Sequence, residues 1–264
     1  MSIITLTTDF GLKDGFVGMM KGVMLIICPE ARLVDISHEI SPQNILEGAL
    51  VLQRAWSFFP PGTVHLAVVD PGVGTARRPI AARLGEHYFV GPDNGLFTPI
   101  LESVEQQGGR IAFFHTNNPR YWLPQVSHTF HGRDVFSPVA AHIAKGVPLS
   151  ELGPAITDPL RIPFPKPEKT QNGWRAHVLG IDHFGNLATD LPDSALTDAH
   201  NVSFRMAKSD IRGLVQSFGQ GKAGELIALV NSAGFLEIAL VNGSAAQTLS
   251  ASVGDLVEVT LSNI

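Results

Sequence analysis

The sequence predicts an α/β N-terminal domain with a mainly parallel sheet flanked by helices, followed by a C-terminal all-β barrel domain. Three observations support this fold class. Strand-like and helix-like segments alternate through the first half of the chain, which is typical of parallel βαβ units. Residues 157–172 then hold four prolines and show no hydrophobic periodicity. Beyond them, short strand-like runs follow one another with almost no helix signal.

These observations set the expected domain boundaries. We expect the α/β domain over residues 1–160, a linker over 161–172 and the barrel over 173–264. Proline-rich segments without periodicity are typical of linkers. For the last segment a β-sandwich is the alternative, because both folds consist of short strands separated by turn residues.

The first five elements read strand, helix, strand, helix, strand. Ile3–Thr7 is a short β-rich run, and the helix-like FVGMMKGVMLIIC stops at Pro29. Arg32–Ser37 predicts the second strand. The helix-like run that starts at Gln43 has its apolar residues spaced for one buried face. TVHLAVVD is apolar almost throughout, as expected of a strand that is covered on both faces.

The remaining elements follow in the same way. PIAARL, HYFVG and RIAFFH read as strands, and LFTPILESVEQ reads as a helix after the turn PDNG. DVFSPVAAHIAKGVPLSEL predicts a helix broken by Gly146 and Pro148. In the second domain the strand-like runs are RAHVLGID, NVSFRM, ELIALV, FLEIAL and DLVEVTL.

Composition excludes several function classes. The net charge of −5, without a basic stripe, argues against nucleic acid or an anionic membrane as a partner. The single cysteine, Cys28, excludes an intrachain disulfide and suits a reducing compartment. The N-terminal MSIITLTTDF does not read as a signal peptide, and no apolar run approaches the length of a membrane span. We expect a soluble, cytoplasmic protein.

The stretch HLAVVDPGVGTARRPIAARL places Asp70 at the end of an apolar strand and two arginines, Arg77 and Arg78, after a tight turn. Asp9 follows the first strand in the same manner. Ligands of open parallel sheets bind beyond the carboxyl ends of the strands, so these two acids are candidate site residues. Asp also favours turns for purely structural reasons. The stretch alone fits a phosphate-binding loop, a structural salt bridge or a catalytic pair.

Two further clusters carry candidate chemistry. TFHGRDVFSP contains His131 in a loop entering a helix, and Asp134 reads as the N-cap of that helix. In the second domain, polar and aromatic residues lie in otherwise strand-like regions, where turn chemistry is the alternative. These residues are Asp182, Phe184, Asn186, Ser232, Glu237 and Asn242.

Metal and phosphate sites are poorly supported by spacing. No HxH, HExxH or DxD pattern and no cysteine cluster is present, so we expect no metal. The PGVG turn lacks both the GK[ST] ending and the GxGxxG spacing of phosphate-binding loops.

Taken in order, the motifs resemble one family. TDFG, DPGVGTARR, PDNG, FHGRDVFSPVAAHIA, DHFGN and NSAG together resemble the S-adenosylmethionine hydroxide adenosyltransferases, relatives of the fluorinases and chlorinases. The resemblance covers essentially the whole chain. It implies hydrolysis of S-adenosylmethionine to adenosine and methionine, by attack of water or hydroxide on the ribose 5′-carbon. It also implies a homotrimer with sites between neighbouring subunits, and no cofactor.

The resemblance assigns roles to single residues. Asp70, Arg77 and His131 correspond to a triad around the water, with either Asp70 or His131 positioning or deprotonating it. Asp9 would bind the ribose hydroxyls. The remaining substrate residues would lie in the second domain. Asp182 and Ser232 would bind the methionine amine and carboxylate, with Glu237 near the same end. Phe184 would pack on the substrate, and Asn186 and the Asn242 backbone would contact the adenine edge.

Departures from the halogenases favour the hydrolase branch. Those enzymes have Tyr at the position of Asp70, Thr at that of Val73 and Tyr at that of His131. A fixed carboxylate repels a halide ion. The fluorinase tryptophan near the substrate corresponds to Gln43, and the arginine beside the serine corresponds to Ala233. The alternatives are a halide-dependent adenosyltransferase, a non-catalytic nucleoside-binding module and a metal-dependent hydrolase of a phosphorylated nucleoside.

Overall fold

The computed structural model describes residues 2–196 and 201–262 and divides the chain into two compact units, residues 1–163 and 164–264. Each unit contains a β-sheet of its own. The chain therefore has the two-domain organisation with an all-β second half that the sequence pattern predicts.

The N-terminal unit combines strands with short helices. Its strands are β1 (Ile3–Thr8), β2 (Arg32–Ser37), β3 (Val64–Val68), β4 (Pro79–Leu84), β5 (His87–Pro92), β6 (Ile111–His115) and β7 (Ala155–Ile156). Its α-helices are α1 (Phe16–Ile27), α2 (Ile45–Ala55), α3 (Thr98–Gln106), α4 (Ser137–Ala144) and α5 (Leu149–Leu152). A π-helical turn, Gly132–Phe136, immediately precedes α4.

The sheet of this unit has the strand order β2-β1-β3-β5-β4-β6-β7. Strands β2, β1, β3 and β5 pair in parallel, whereas β4 pairs antiparallel with both β5 and β6, and β7 pairs antiparallel with β6. The sheet is therefore mixed, and the prediction of a mainly parallel sheet needs correction. The reason is local: only Gly85 and Glu86 separate β4 from β5, and a two-residue connection joins antiparallel strands only.

The two sets of side chains along β1 and β3 have different surroundings. Ile4, Leu6 and Leu66 belong to a core that includes Met20 of α1 and Val139 of α4. Because side chains alternate along a strand, the residues between them face the opposite side of the sheet.

On that opposite side lies a buried polar chain. Thr5 Oγ1 lies 2.8 Å from Nδ1 of His65, and Nε2 of His65 lies 3.1 Å from Nδ1 of His87. Phe89 stacks on the His65 ring. Burial, with the neighbouring His87, lowers the pKa of His65 to about 3, and burial also lowers the pKa of His87. Both imidazoles are therefore neutral at pH 7.

The C-terminal unit is an antiparallel sheet. Its strands are β8 (Glu168–Thr170), β9 (Gly173–Ile181), β10 (Leu187–Pro192), β11 (Asn201–Met206), β12 (Ser209–Arg212), β13 (Leu226–Val230), β14 (Phe235–Leu240) and β15 (Leu256–Ser262). The described part of this unit also holds one short α-helix, α6 (Ala245–Leu249). In the order β12-β11-β15-β9-β10-β14-β13 the outer strands are β12 and β13, and Val215, which follows β12, bridges to Leu229 of β13. The sheet is therefore nearly closed and barrel-like.

The proline-rich segment is partly ordered into this second sheet. Strand β8 lies inside residues 161–172 and pairs antiparallel with β9. Within the described residues, no helix is long and apolar enough to cross a membrane.

Candidate functional site

Two acidic residues meet at one edge of the N-terminal sheet. Strands β1 and β3 are parallel neighbours, with Thr8 opposite Val68. Asp9 follows β1 directly, and Asp70 follows β3 after one more residue. Both carboxylates therefore lie beyond the carboxyl ends of adjacent parallel strands, where open sheets bind ligands.

Asp70 forms a bidentate ion pair with Arg77. Nε of Arg77 donates to Oδ1 of Asp70 at 2.9 Å, and Nη2 donates to Oδ2 at 2.5 Å. The side chains are only 5% and 9% exposed, so solvent screens the pair weakly. The turn between them is closed by a hydrogen bond from the Val73 N–H to the Asp70 carbonyl at 3.2 Å. Fork-to-fork pairing of this kind fixes the orientation of the carboxylate plane.

His131 joins the other side of Arg77. Nη2 of Arg77 lies 2.9 Å from Nδ1 of His131, and the guanidinium also lies over the Phe136 ring at 5.0 Å. Burial lowers the pKa of His131, and the Arg77 charge lowers it further, while Asp70 opposes both. The three residues that the resemblance groups together are therefore joined by hydrogen bonds through one guanidinium.

Asp70, Arg77 and His131 form a cluster that we call the corner, and Gly74 lies where its two loops come into backbone contact. The first loop, residues 70–78, carries Asp70 and Arg77, and the second, residues 127–131, ends at His131. Gly74 has a φ of +77°, and a Cβ added to it would lie 2.6 Å from the carbonyl oxygen of His128. Only glycine therefore permits both the backbone conformation and this close approach.

Arg78 serves a different part of the unit. It donates to Asp93, which is buried, and to the carboxylate and carbonyl of Asp158. Asp93 in turn accepts from the N–H of Leu160. Arg78 therefore fastens the end of the N-terminal unit, whereas its neighbour Arg77 belongs to the corner with Asp70 and His131.

The turn that carries Asp9 is held by several polar contacts. Its Oδ2 accepts a hydrogen bond from the N–H of Gln43 at 2.8 Å. The preceding residue, Thr8, has its hydroxyl 2.8 Å from Nδ1 of His38, and it accepts from the N–H of Phe10. Nε2 of His38 lies 3.0 Å from Asp35, at ion-pair distance but without the angle of a good hydrogen bond. The Asp9 turn therefore rests on buried polar groups.

Predicted site residues of the C-terminal unit lie around an open groove. The groove has a volume of about 740 Å³, and Phe184, Asn186 and Asn242 are among the residues that line it. Phe184 is 74% exposed, which is unusual for an aromatic side chain that packs only within its own chain. Asp182 accepts from the N–H groups of Phe184 and Asn186 and from the Asn186 side chain. Its carboxylate therefore shapes the turn that carries the other two.

Ser232 and Glu237 lie on the β13–β14 hairpin. Ser232 is exposed in the connecting turn, and Glu237 is a buried residue of β14, 3.2 Å from Nδ2 of Asn231. The groove is lined instead by Phe218, Gly219, Gly221 and Ala223 on its remaining side. Sequence reasoning missed Phe218, although a lone aromatic residue in the Gly-rich stretch SFGQGKAG was an available signal.

The structure corrects the reading of Asp134. We predict an N-cap at this position, but Asp134 lies inside the π-helical turn and α4 starts at Ser137. Its buried carboxylate accepts from Ser127 and Arg133 instead of from the first turn of a helix. Elsewhere, no cluster of three or more His, Cys, Asp or Glu side chains suited to a metal ion occurs in the described ranges.

Comparisons with known proteins place this geometry in context. Family models described as SAM hydroxide adenosyltransferase N-terminal and C-terminal domains match residues 4–153 and 176–258. The chain is 42% identical to the (R)-S-adenosyl-L-methionine hydrolase of Salinispora tropica, with 97% of each chain covered. It is 39% identical to the protein of that name from Thermus thermophilus, covering 94% of this chain and 95% of the relative.

More distant and structural relatives agree with these matches. A fluorinase from an Actinoplanes species is 30% identical over 98% of this chain and 97% of its own. A crystal structure of an uncharacterized conserved protein from Thermotoga maritima superposes with a TM-score of 0.89 at 37% identity, covering 97% of this chain and 99% of that one.

Proposed function

This chain belongs to the SAM hydroxide adenosyltransferase family, and on that premise we propose that it hydrolyses S-adenosyl-L-methionine (SAM) to adenosine and L-methionine. The relatives' name specifies the (R) form, so we propose the (R) epimer at the sulfonium sulfur as the preferred substrate. The observation that supports the chemistry best is the corner in which Arg77 hydrogen-bonds both Asp70 and His131.

The proposed reaction is a direct displacement at carbon. The oxygen of water or hydroxide forms a bond to the ribose 5′-carbon, the bond between that carbon and sulfur breaks, and sulfur keeps the electron pair as the thioether of methionine. One proton of the water is released. A sulfonium leaves as a neutral thioether, so no acid is needed at the leaving group. The task of the site is to hold a small nucleophile in line with the carbon and away from bulk water.

Hydrogen bonding favours Asp70 as the group that orients the water and takes its proton. The Nδ1 lone pair of His131 faces an N–H of Arg77 at 2.9 Å, so neutral His131 has no free lone pair there for a water proton. Asp70 receives contacts from two N–H groups of Arg77, and a carboxylate has about four acceptor positions. Arg77 then aims the carboxylate, and His131 holds Arg77.

Charge argues against a halide as the nucleophile. Asp70 is a carboxylate beside the proposed water position, and a second anion close to it would be repelled. Fluorinases are related to this chain at lower identity than the hydrolases. The halide-dependent reaction therefore remains an outcome to test.

We propose the remaining substrate contacts from the family resemblance and from the positions of the side chains. Asp9 would bind the ribose hydroxyls from the edge of the N-terminal sheet. Phe184, Asn186 and Asn242 would hold the nucleoside through the open groove, and Asp182 and Ser232 the methionine amine and carboxylate, with Glu237 near the same end. An exposed aromatic ring beside amide groups suits stacking and edge recognition of a base.

The family resemblance also supports the proposed assembly and setting. We propose a homotrimer with sites between neighbouring subunits, SAM as the small-molecule substrate, no nucleic-acid or membrane partner, and a reaction without metal or cofactor. A cytoplasmic location agrees with the single cysteine, Cys28. Size-exclusion chromatography with light scattering tests the trimer.

One experiment tests the function. Purified protein is incubated with each SAM epimer in ¹⁸O-water that contains EDTA, with and without chloride or fluoride. The products are separated by chromatography and identified by mass spectrometry. We expect methionine and adenosine carrying one ¹⁸O at the 5′-oxygen, faster from the (R) epimer. A halogenated nucleoside would support the halogenase, and intact bound SAM a binding module. Activity that needs a metal after EDTA treatment would contradict the metal-free reaction.

A further inference from the structure

A buried carboxylate behind His131 has no part in the reaction proposed above. Asp134 is fully buried in the π-helical turn that begins directly after His131. Its Oδ2 accepts from the N–H of Ser127 at 2.8 Å and from the Ser127 hydroxyl at 2.7 Å. Its Oδ1 accepts from Nε of Arg133 at 2.6 Å. These charge-assisted bonds lower the pKa of Asp134 against the effect of burial, so the group is ionised at neutral pH.

Ser127 also forms a hydrogen bond within the loop that ends at His131. The Ser127 hydroxyl, which donates to Asp134, also accepts from the N–H of Phe130 at 3.1 Å. The N–H of Asp134 returns to the carbonyl of Phe130 at 3.1 Å. Phe130 is the residue before His131, and its ring packs edge-on against Phe10 and Phe16. Ser127 is therefore tied to the Asp134 carboxylate, and Phe130 to the Ser127 hydroxyl and the Asp134 backbone.

The protonation of the His131 ring follows from its neighbours. A guanidinium has N–H donors and no acceptor, so the Nδ1 that lies 2.9 Å from Arg77 must be the unprotonated nitrogen. The neutral ring then carries its proton on Nε2. Burial lowers the pKa of His131 and the Arg77 charge lowers it further, so the ring is neutral at pH 7. Ser127 is thus linked to Asp134 by its N–H and hydroxyl, and its hydroxyl also holds the backbone of Phe130, the residue before His131.

We propose that Asp134 is a positioning residue that, through Ser127, holds His131 in the tautomer with its proton on Nε2 and its Nδ1 lone pair directed at Arg77. The chain of contacts runs from Asp134 through Ser127 to the backbone of Phe130, which precedes His131, and from His131 through Arg77 to Asp70. The tautomer itself is a property of the free protein, and only its effect on turnover rests on the function proposed above.

Nuclear magnetic resonance of the full-length protein labelled with ¹⁵N-histidine tests this proposal without substrate. In the unchanged protein at pH 7.5, we expect His131 to show an unprotonated Nδ1 and a protonated Nε2. Ser127→Ala removes the hydroxyl but keeps the backbone N–H, and Asp134→Asn removes the charge. In both variants we expect the His131 signals to move toward a mixture of tautomers. Ser127→Thr restores a hydroxyl and is expected to restore the original signals.

Asp190→Asn is the matched control. Asp190 is also a buried carboxylate that accepts from a backbone N–H, that of His177, but it lies in the C-terminal unit. We expect it to lower stability without changing the His131 signals. If Asp134→Asn does not fold, Ser127→Ala and Ser127→Thr decide the question. Unchanged His131 signals in Ser127→Ala, or equal changes in Asp190→Asn, would overturn the proposal.

Kinetics gives an independent readout. Displacing His131 should misalign Arg77 and Asp70, so we expect kcat for SAM hydrolysis to fall on the order of 10- to 100-fold in Ser127→Ala, with little change in KM. A rise in KM with unchanged kcat would contradict a positioning role in this corner. If neither the unchanged protein nor any variant hydrolyses SAM, the proposed function is wrong. The tautomer measurement still decides the role of Asp134.

Discussion

Nη2 of Arg77 donates a hydrogen bond to Nδ1 of His131 at 2.9 Å, and the same side chain forms an ion pair with Asp70. One guanidinium therefore sets the orientation of both an anion and a neutral ring. This relationship makes His131 a support for Arg77, and it leaves the Asp70 carboxylate as the group with free acceptor positions. Each property can be tested separately.

Replacing Asp70 by Asn should abolish most turnover and preserve binding. Asn retains the shape of Asp but lacks the charge and the basicity that we propose act on the water. We expect kcat to fall by about 10²- to 10⁴-fold. SAM affinity, measured by calorimetry, should change by only a few-fold. Normal turnover in this variant would show that the assignment of Asp70 is wrong.

The pH profile should have an acidic limb below pH 6.5. Burial and the Arg77 charge lower the pKa of His131, so the ring is neutral at pH 7 and accepts from Arg77. As pH falls through that lowered pKa, the ring gains a proton at Nδ1, can no longer accept, and repels the guanidinium. We expect kcat/KM to be flat from pH 7 to 8 and to fall under pH 6.5. His131→Gln should lower activity and lose this limb, and a limb retained in that variant would assign it to another group.

The two adjacent arginines should respond differently to the same change. Lys cannot form the paired contacts of Arg77 with Asp70 and still reach His131, so Arg77→Lys should lower kcat/KM by roughly 100-fold. Arg78→Lys weakens contacts with Asp93 and Asp158, away from this corner. It should lower the free energy of unfolding by about 1–3 kcal/mol and leave kcat within about two-fold. Equal kinetic effects of the two changes would contradict the separation of their roles.

Gly74→Ala should disturb the corner more than it strains the backbone. Alanine at this positive φ costs about 1–2 kcal/mol, and its Cβ would meet the carbonyl of His128 at 2.6 Å. Gly62→Ala is the control, because Gly62 has a φ of +86° with nothing within 4 Å. Both variants should unfold at lower temperature in calorimetry, but only Gly74→Ala should also lose turnover. A loss of activity in Gly62→Ala alone would refute this distinction.

The buried histidine pair should make the fold sensitive to acid. His65 has an ordinary pKa near 6.5 when unfolded and about 3 when folded. Above pH 6.5 both states are neutral and the group contributes nothing. As pH falls from 6.5 toward 3, only the unfolded state gains the proton, so stability falls by up to about 5 kcal/mol.

Urea unfolding between pH 7.5 and 4 measures this effect. His65→Phe should be less stable at pH 7.5, by about 1–3 kcal/mol, because the hydroxyl of Thr5 loses its partner. Its stability should then decline less steeply with acid than that of the unchanged protein. Parallel pH curves for the two proteins would assign the acid sensitivity to other groups.

Local features of the chain were predictable from the sequence because their causes are local. Asp9 and Asp70 each follow an apolar strand, so they lie at the same edge of the sheet if the two strands are parallel neighbours. The structure shows that β1 and β3 are parallel neighbours. The parallel reading failed for β4, since an apolar run such as PIAARL suits either direction. The short connection at Gly85 and Glu86 was the signal that decides the direction.

Other features depend on contacts that sequence spacing does not encode. Asp134 is of a residue type that is preferred at N-caps. Its carboxylate nevertheless accepts from Ser127 and Arg133, because the chain forms a π-helical turn there. The groove residue Phe218 lies more than thirty positions from Phe184, and only the folded sheet brings them to one surface. The catalytic and binding roles of the predicted residues stay predictions until the variants are measured.

The corner is assembled from pieces of very different sequence separation. Asp70 and Arg77 are seven positions apart, whereas Arg77 and His131 are 54 apart. Closing the longer loop costs about 2 kcal/mol more chain entropy. The ion pair is thus a local contact that a partly folded chain can form, whereas the contact with His131 requires the longer loop to close. During refolding, the recovery of turnover should therefore lag behind the recovery of secondary structure, because turnover also depends on this long-range contact.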